Sequence, residues 1–597
     1  MKDFSKYISL VCFSFLNSTL SQTPQVISVS PGFNEIANNN HPKISATFNV
    51  SMDSSSFDEI SFAVYSERSG YHSGSISYLD ETKIVTFNSN RQFNAGERVN
   101  VTLSNKIRSQ QGDSIKGFIW VFRIPSGTAP VNFSEAVAYD GGGDFMQCVD
   151  MNNDNYPDIV TSSGVILLND GLGVFNNYWF LSDANPYDHL VADDFNRDGI
   201  MDVFYYGNDG LKIGIGDGNG NFAFTTRPYW FYKYISADFN GDGSPDIAGL
   251  KGVTFIPPDS TALEWSIAFN DGSGNFNDTV LFKVNGGGTP GSILATDLDN
   301  DGDIDIVLAS QPEVNPFGIF GLNGFIVGKN DGNGFFNDFQ LYHDDTYLRI
   351  TYPYYLYSSD FNNDGFNDLA VISTGSGLVA INLGNGTFGY NETDVRYFWP
   401  PELASVISGG DVNGDRWIDI VISGYEWPPE YQIPYYAVNI NDSSYFPGFW
   451  NNNFNDTLPT GYILATDIVD LDNDTRQDII HSGEGVYITF SKDTVSSVVA
   501  DNNEPNNFHL FQNYPNPFNG ETTIEFETNV NEIILISVYN ILGEEVRFLE
   551  NRIFSKGKHI ILWDAKDEEG MDLPSGVYII RASSFKHNQQ IKTVLLR

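Results

Sequence analysis

One nine-residue pattern recurs seven times in this chain: Asp, any residue, Asn or Asp, any residue, Asp, three residues, Asp. The copies begin at Asp150, Asp194, Asp238, Asp297, Asp360, Asp411 and Asp470. Their spacing, about 45 to 60 residues, is that of a repeat architecture, in which each unit buries its apolar face only by stacking on the next. An apolar run of β type follows each copy, such as Ile159-Val160, Ile247-Ala248, Ile306-Val307-Leu308 and Ile420-Val421-Ile422.

Carboxylates at alternate positions of a tight loop suit calcium, a hard cation that takes six to eight oxygen ligands in a flexible shell. The candidate side-chain ligands stand at positions 1, 3, 5 and 9 of each copy. They are Asp150, Asn152, Asp154 and Asp158; Asp194, Asn196, Asp198 and Asp202; and Asp238, Asn240, Asp242 and Asp246. They continue with Asp297, Asp299, Asp301 and Asp305; Asp360, Asn362, Asp364 and Asp368; Asp411, Asn413, Asp415 and Asp419; and Asp470, Asp472, Asp474 and Asp478. These positions hold 23 carboxylates, which would repel one another strongly without cations. Position 7 is Tyr156, Ile200, Ser244, Asp303, Phe366, Trp417 or Arg476, a scatter expected if only the backbone carbonyl is used there. Position 6 calls for a left-handed backbone. Glycine and Asn155 accept this readily, whereas Arg416 and β-branched Thr475 do so at a cost, which makes sites six and seven the weaker ones. The loop lacks the twelfth-position Glu of an EF-hand, and β-type runs flank it instead of helices.

A second motif follows most copies: Asn169-Asp-Gly-Leu-Gly-Val-Phe175, Gly216-Asp-Gly-Asn-Gly-Asn-Phe222, Asn270-Asp-Gly-Ser-Gly-Asn-Phe276, Asn330-Asp-Gly-Asn-Gly-Phe-Phe336 and Asn382-Leu-Gly-Asn-Gly-Thr-Phe388. Asp-Gly and Asn-Gly between apolar runs signal hairpins. A sixth copy, Asn441-Asp-Ser-Ser-Tyr-Phe446, is degraded, and a seventh is not visible. One unit therefore reads strand, acidic loop, strand, strand, hairpin, strand, which is the content of one β-propeller blade. Seven units predict an all-β fold, a seven-bladed β-propeller over residues 130–490. This stretch resembles the FG-GAP/VCBS repeat family, whose relatives include the calcium-binding blades of integrin α-subunits. The resemblance implies up to seven Ca²⁺ ions held at one edge of the blades and implies no particular ligand.

The chain has 597 residues, too many for one domain, with net charge −44 and a pI near 4.2. That charge argues against nucleic acid and anionic membranes as partners. It resides in the repeat loops: from Phe508 onward there are 9 Lys and Arg against 12 Asp and Glu. Seven calcium ions would return +14 and leave about −30. Of two cysteines, Cys12 lies in an apolar N-terminal segment, and Cys148 reads as a small buried residue. No disulfide framework exists, and calcium would supply the cross-links of an exported chain. Residues 1–21 read as a signal peptide, with Lys2 and Lys6 near an apolar stretch and small residues ahead of Gln22. No other segment approaches the length of apolar sequence a transmembrane helix requires.

Residues 24–126 have the short, turn-punctuated runs of a β-sandwich, among them Ile44-Ser-Ala-Thr-Phe48, Val99-Asn-Val-Thr-Leu103 and Phe118-Ile-Trp-Val-Phe122. They resemble bacterial Ig-like domains, which implies a spacer role. Residues 491–507 read as a polar linker. Residues 508–597 carry Phe511-Gln-Asn-Tyr-Pro-Asn-Pro-Phe518, Val538-Tyr-Asn-Ile-Leu-Gly-Glu-Glu-Val546, Trp563-Asp564 and Leu573-Pro-Ser-Gly-Val-Tyr578. They resemble the C-terminal β-sandwich sorting domain of the type IX secretion system of Bacteroidetes. That implies contact with the secretion machinery and a secreted or cell-surface address.

Aromatic clusters such as Tyr178-Trp-Phe180, Tyr229-Trp-Phe-Tyr232, Tyr397-Phe-Trp399 and Tyr425-Glu-Trp427 suggest a ligand surface on Trp179, Trp230, Trp399 and Trp427. Packing between blades is the competing account of the same residues. No His-Glu-x-x-His or Gly-x-Ser-x-Gly occurs, and the acidic loops already use most carboxylates. The sequence thus points to a non-enzymatic surface protein that binds glycan or protein. A polysaccharide-degrading enzyme on the same scaffold and a structural matrix component are the alternatives.

Overall fold

In the computed structural model the described residues are 22–597 except 130, 228–230, 257–259, 316–317, 321–322, 344–349, 351, 374–375, 390–394, 399–402, 426–433, 442–448, 456–462, 493–507, 529–531, 541–544, 555, 568–569 and 585–587. The expected signal peptide, most of the expected linker, and Trp230, Trp399 and Trp427 lie outside them.

The described chain is all-β apart from one 3₁₀ turn at Ser54–Ser56. It divides into two compact units, Met1–Thr494 and Val495–Arg597. The first unit opens with two four-stranded antiparallel sheets. One is ordered Val26–Ser30, Ile44–Phe48, Ile84–Ser89, Gly74–Leu79, and the other Gly70–Tyr71, Phe62–Ser66, Arg98–Leu103, Phe118–Arg123. Alternating residues of both enclose a core around Trp120, Phe62, Phe87 and Phe122, all fully buried. The Trp120 indole N–H donates to the Pro31 carbonyl at 3.1 Å, satisfying the one polar atom that burial would otherwise strand.

Seven four-stranded antiparallel sheets follow, each strand pairing with the next in sequence. Sheet 3 is representative: Lys233–Ala237, Asp246–Ile256, Ser260–Asn270 and Phe276–Asn285. The acidic loop joins strands one and two of each sheet, and in sheets 1 to 5 the Gly-rich hairpin joins strands three and four. Sheet 7 takes its fourth strand, Val137–Tyr139, from the chain ahead of sheet 1. That borrowed strand explains why no seventh hairpin motif exists: strands three and four of sheet 7 are not consecutive in sequence. The first strand of each sheet touches the first strand of the next, and Ile463–Val469 of sheet 7 touches Met146–Val149 of sheet 1. The second strands are buried on both faces, as in Asp305–Gln311 and Asp368–Ser373, so they are apolar runs with no alternation.

The second unit holds a three-stranded sheet, Phe508–Leu510, Thr522–Thr528 and Gly557–Trp563. Its four-stranded sheet is ordered Glu545–Phe554, Glu532–Tyr539, Gly576–Ser584, Asn588–Leu595. Trp563 is fully buried against Phe518 and Tyr578.

Candidate metal loops and central cavity

All seven acidic loops adopt one backbone. Position 6 has positive φ in every copy, including Arg416 at 73° and Thr475 at 74°. The position 1 carboxylate holds the turn closed: its Oδ2 accepts the position 6 N–H at 2.7–3.1 Å, from Asn155 through Thr475. The position 5 carboxylate accepts the position 7 N–H at 2.8–3.1 Å. The turn itself uses only the position 7 backbone, so the side chain there varies, and Arg476 and Asp303 form ion pairs of their own with Asp474 and Lys116.

Position 9 serves the backbone with both oxygens. Its Oδ2 accepts the position 2 N–H at 2.9–3.1 Å, and its Oδ1 accepts an N–H at the end of strand three, at 2.8–2.9 Å. These aspartates thus tie the acidic loop to the hairpin beside it. Each oxygen retains a second lone pair for a cation.

Burial and neighbouring carboxylates push the position 1 and position 9 acids up. Burial raises Asp150, Asp360 and Asp411 to about 6, Asp194, Asp238 and Asp470 to about 7, and Asp158, Asp202 and Asp305 to about 8. Sequestering several acids together favours their protonated forms, and a divalent cation would reverse that preference.

Loops four and seven each bring three carboxylates together, loop seven in spite of the left-handed Thr475 expected to weaken it. Carboxylate oxygens of Asp297, Asp299 and Asp301 lie within 4.8 Å of one another, as do those of Asp470, Asp472 and Asp478. In both clusters the position 3 acid has a buried oxygen without a hydrogen-bond partner, Oδ1 of Asp299 and Oδ1 of Asp472. An orphaned buried carboxylate oxygen inside a cluster of carboxylates calls for a cation. The other five loops have Asn at position 3, whose Oδ1 accepts the position 5 N–H at 2.9–3.0 Å.

The hairpin motif contributes residues that the sequence reading left as turn formers. Asn169, Asn270, Asn330, Asn382 and Asn441 are buried, and each Nδ2 donates to the position 2 carbonyl of a neighbouring loop: Leu471, Phe195, Phe239, Leu298 and Phe361, at 2.6–2.9 Å. Asn169 reaches from sheet 1 to the loop of sheet 7. Asn441 keeps the contact although the rest of its motif is degraded. Repetition of Asn at the head of this motif was the available signal.

Trp179 is half-buried. It packs over Gly220 of the next sheet, while Tyr178 and Phe180 are the exposed aromatics of its strand. Strand alternation puts Trp179 on the opposite face from both.

The first strands of all seven sheets, with the N-terminal domain, line a cavity of about 690 Å³. At the loop end Arg68 grips Asp467, with Nη2–Oδ1 at 2.7 Å, and also donates to the Cys148 carbonyl at 3.1 Å. Toward the opposite end lie Asp144, Tyr187, Asp188, His189 and Lys233. Burial pushes His189 down to about 3, so it is neutral, with its ring centroid 3.8 Å from that of Phe145 at an interplanar angle of 44°.

Family comparison agrees with this organisation. An FG-GAP-like repeat model matches residues 194–249, 238–308 and 360–422, covering the loops that begin at Asp194, Asp238, Asp297, Asp360 and Asp411. Residues 194–308 and 360–422 are FG-GAP-like repeats. The acidic loops at Asp150 and Asp470 fall outside the matched segments and share the same geometry. Residues 21–124 match a bacterial Ig-like domain, and 512–596 match a secretion system C-terminal sorting domain. The sorting domain indicates that the chain is secreted to the cell surface through the type IX secretion system, and implies contact between its tail and that machinery. No described helix is long and apolar enough to cross a membrane. No curated protein matches the chain. Among solved structures, an Agrocybe aegerita lectin that recognises non-reducing terminal N-acetylglucosamine aligns at 17% identity, over 70% of this chain and 91% of that one, with a TM-score of 0.34. PorZ, a surface component of the type IX secretion system of Porphyromonas gingivalis, aligns at 9% identity over 96% and 100%, with a TM-score of 0.22. Scores this low assign neither fold nor function.

Proposed function

We propose that residues 130–490 form a seven-bladed β-propeller that binds Ca²⁺ in up to seven loops and acts at the cell surface as a non-enzymatic binding protein for glycan or protein. Three features support the propeller: the cyclic contacts of the first strands, the borrowed fourth strand of sheet 7, and the Asn169 bond from sheet 1 to sheet 7. The observation that carries the calcium reading is the pair of orphaned oxygens, on Asp299 and Asp472, within clustered carboxylates. Bound there, calcium supplies positive charge and cross-links the turn. The chain's own aspartates hold positions 1, 3 and 5 and supply the oxygens.

Calcium at 100 times its dissociation constant stabilises a fold by about 2.7 kcal/mol per site. Residues 22–597 should melt well below their calcium-loaded temperature in EGTA, and elemental analysis of the dialysed protein should find calcium. An unchanged melt with no bound calcium refutes the metal reading. A glycan and matrix-protein array, probed in calcium and in EGTA, tests the binding role. Calcium-dependent capture by one ligand class supports it, and no capture in either buffer refutes it.

A further inference from the structure

The expected spacer domain is not held apart from the repeats. It packs on the acidic loops, and its contacts converge on loop position 6. Tyr71 Oη donates to the Gly243 carbonyl at 2.6 Å, the Ile119 N–H to Gly302 at 2.7 Å, and Asn34 Nδ2 to Gly365 at 3.1 Å. The Gly127 N–H, just past the domain, donates to Thr475 at 2.7 Å. Those four acceptors are position 6 carbonyls of loops three, four, five and seven. In loop one Arg91 reaches the position 6 side chain, Asn155 Oδ1, at 2.6 Å. In loop six the position 6 side chain is Arg416, which donates to the Ile36 and Ala37 carbonyls.

There is a physical reason for this convergence. The left-handed residue that wraps the loop also reverses the peptide after it. The position 7 N–H then points inward to the position 5 carboxylate, while the position 6 carbonyl points away from the loop and is left for an outside donor. The same reason accounts for the two non-glycine residues that strain the backbone. Arg416 uses its side chain for docking, and Thr475 offers the carbonyl that Gly127 takes. On the edge strand Phe118–Arg123, Val121 and Arg123 pair with the domain's own Asn34–Ala37 segment, and the Ile119 N–H that would remain open is taken up by the loop.

We infer that the acidic loops are the socket of the N-terminal Ig-like domain, so that cation binding in the loops and docking of the domain strengthen each other. The inference rests on the calcium reading above. Without a cation the carboxylates at positions 1 and 5, joined by position 3 in loops four and seven, repel one another, and the turn that presents the position 6 carbonyl loosens. Coupling between two binding events is reciprocal, so weakening the docking contacts lowers calcium affinity by the same factor that losing calcium weakens docking.

Hydrogen exchange on residues 22–597 reads the docking directly, because the Ile119 and Gly127 amides, and that of Ala129 bonded to the Asn413 carbonyl at 3.0 Å, donate across the contact. Peptides spanning 117–130 should exchange at least tenfold faster in EGTA than in calcium. Peptides spanning Arg98–Leu103, inside the domain, should not change. In a second measurement, the double variant Tyr71→Phe, Asn34→Ala alters no loop residue and no charge, and calorimetric titration with calcium should show several-fold weaker affinity. Calcium heat with unchanged exchange at 117–130, or unchanged affinity in the double variant, overturns the coupling while the calcium reading stands. Absence of any calcium heat overturns the calcium reading, and the coupling with it.

Discussion

Asn330 gives the sharpest test of how the sheets are joined. It is 7% exposed and makes four hydrogen bonds: Nδ2 to the carbonyls of Phe239 and Ile304 at 2.8 and 3.0 Å, and Oδ1 from the N–H groups of Gly332 and Gly334, both at 3.0 Å. Phe239 belongs to the loop of sheet 3, so one amide spans two sheets. Asn330→Ala deprives two carbonyls and two N–H groups of this partner. Each buried group left unsatisfied costs about 1–3 kcal/mol, and some of the four will find water, so the expected loss is roughly 3–5 kcal/mol. Asn330→Asp should cost at least as much, since it sets a carboxylate oxygen against two carbonyls. Asn219→Ala is the control: that residue is exposed, and its bonds stay within its own hairpin, so the change should be within about 0.5 kcal/mol. The assay is urea unfolding in saturating calcium, followed by tryptophan fluorescence. A loss under about 0.5 kcal/mol for Asn330→Ala would refute the bridging role of these asparagines.

Three further outcomes are expected. Glu97 is buried in the N-terminal domain, where burial pushes its carboxyl up to about 7 despite hydrogen bonds from the Ser66 and Ser69 hydroxyls and the Asn94 N–H. The folded protein then binds a proton that the unfolded chain releases near 4.5, so Glu97 makes the fold less stable as pH rises from about 4.5 to about 7. The stability of Glu97→Gln relative to wild type should rise by roughly 3 kcal/mol across that window, and a flat difference would contradict the assignment. Thr475→Gly relieves the left-handed strain and keeps the docking carbonyl. It should stabilise by about 0.5–1 kcal/mol after allowing for the added chain entropy, whereas a clear destabilisation would show that the side chain itself is needed. Burial also raises the Cys148 thiol far above its usual range, so residues 22–597 should release no colour with a thiol-exchange reagent until denaturant is added.

Much of this was legible because the repeats are in register. Carboxylates at fixed positions reveal the loop, and apolar runs after them reveal second strands buried on both faces. Other features were hidden for physical reasons. Position 9 shows in sequence only as a candidate ligand, because an aspartate that also caps backbone N–H groups is spelled the same way as one that does not. The bridging asparagines head a motif already accounted for as a hairpin, so their second role left no extra mark. Docking of the N-terminal domain uses mainly carbonyls, which any residue supplies. Trp179 was chosen by residue type, although the period of two along Asn177–Phe180 already separates it from Tyr178 and Phe180.

Chain direction now decides where a ligand can be met. The first strand of every sheet runs into its acidic loop, and the third strand of sheets 1 to 5 runs into its Gly-rich hairpin, so these turns lie at the end covered by the N-terminal domain. The links between sheets and the turns between strands two and three lie at the other end. That end tolerates insertions, such as the extra hairpin Glu313–Asn315 with Gly318–Phe320 in sheet 4. Tyr187, 78% exposed, lies there in the link from sheet 1 to sheet 2, beside Asp188 and near the cavity-lining Asp144 and Lys233. An exposed aromatic face next to two carboxylates and a lysine suits a ligand rich in hydroxyl groups. On the binding reading, Tyr187→Ala should weaken capture of whichever array ligand is found by tenfold or more, with an unchanged calcium-loaded melt. Capture unaltered by Tyr187→Ala would take recognition away from this end of the cavity.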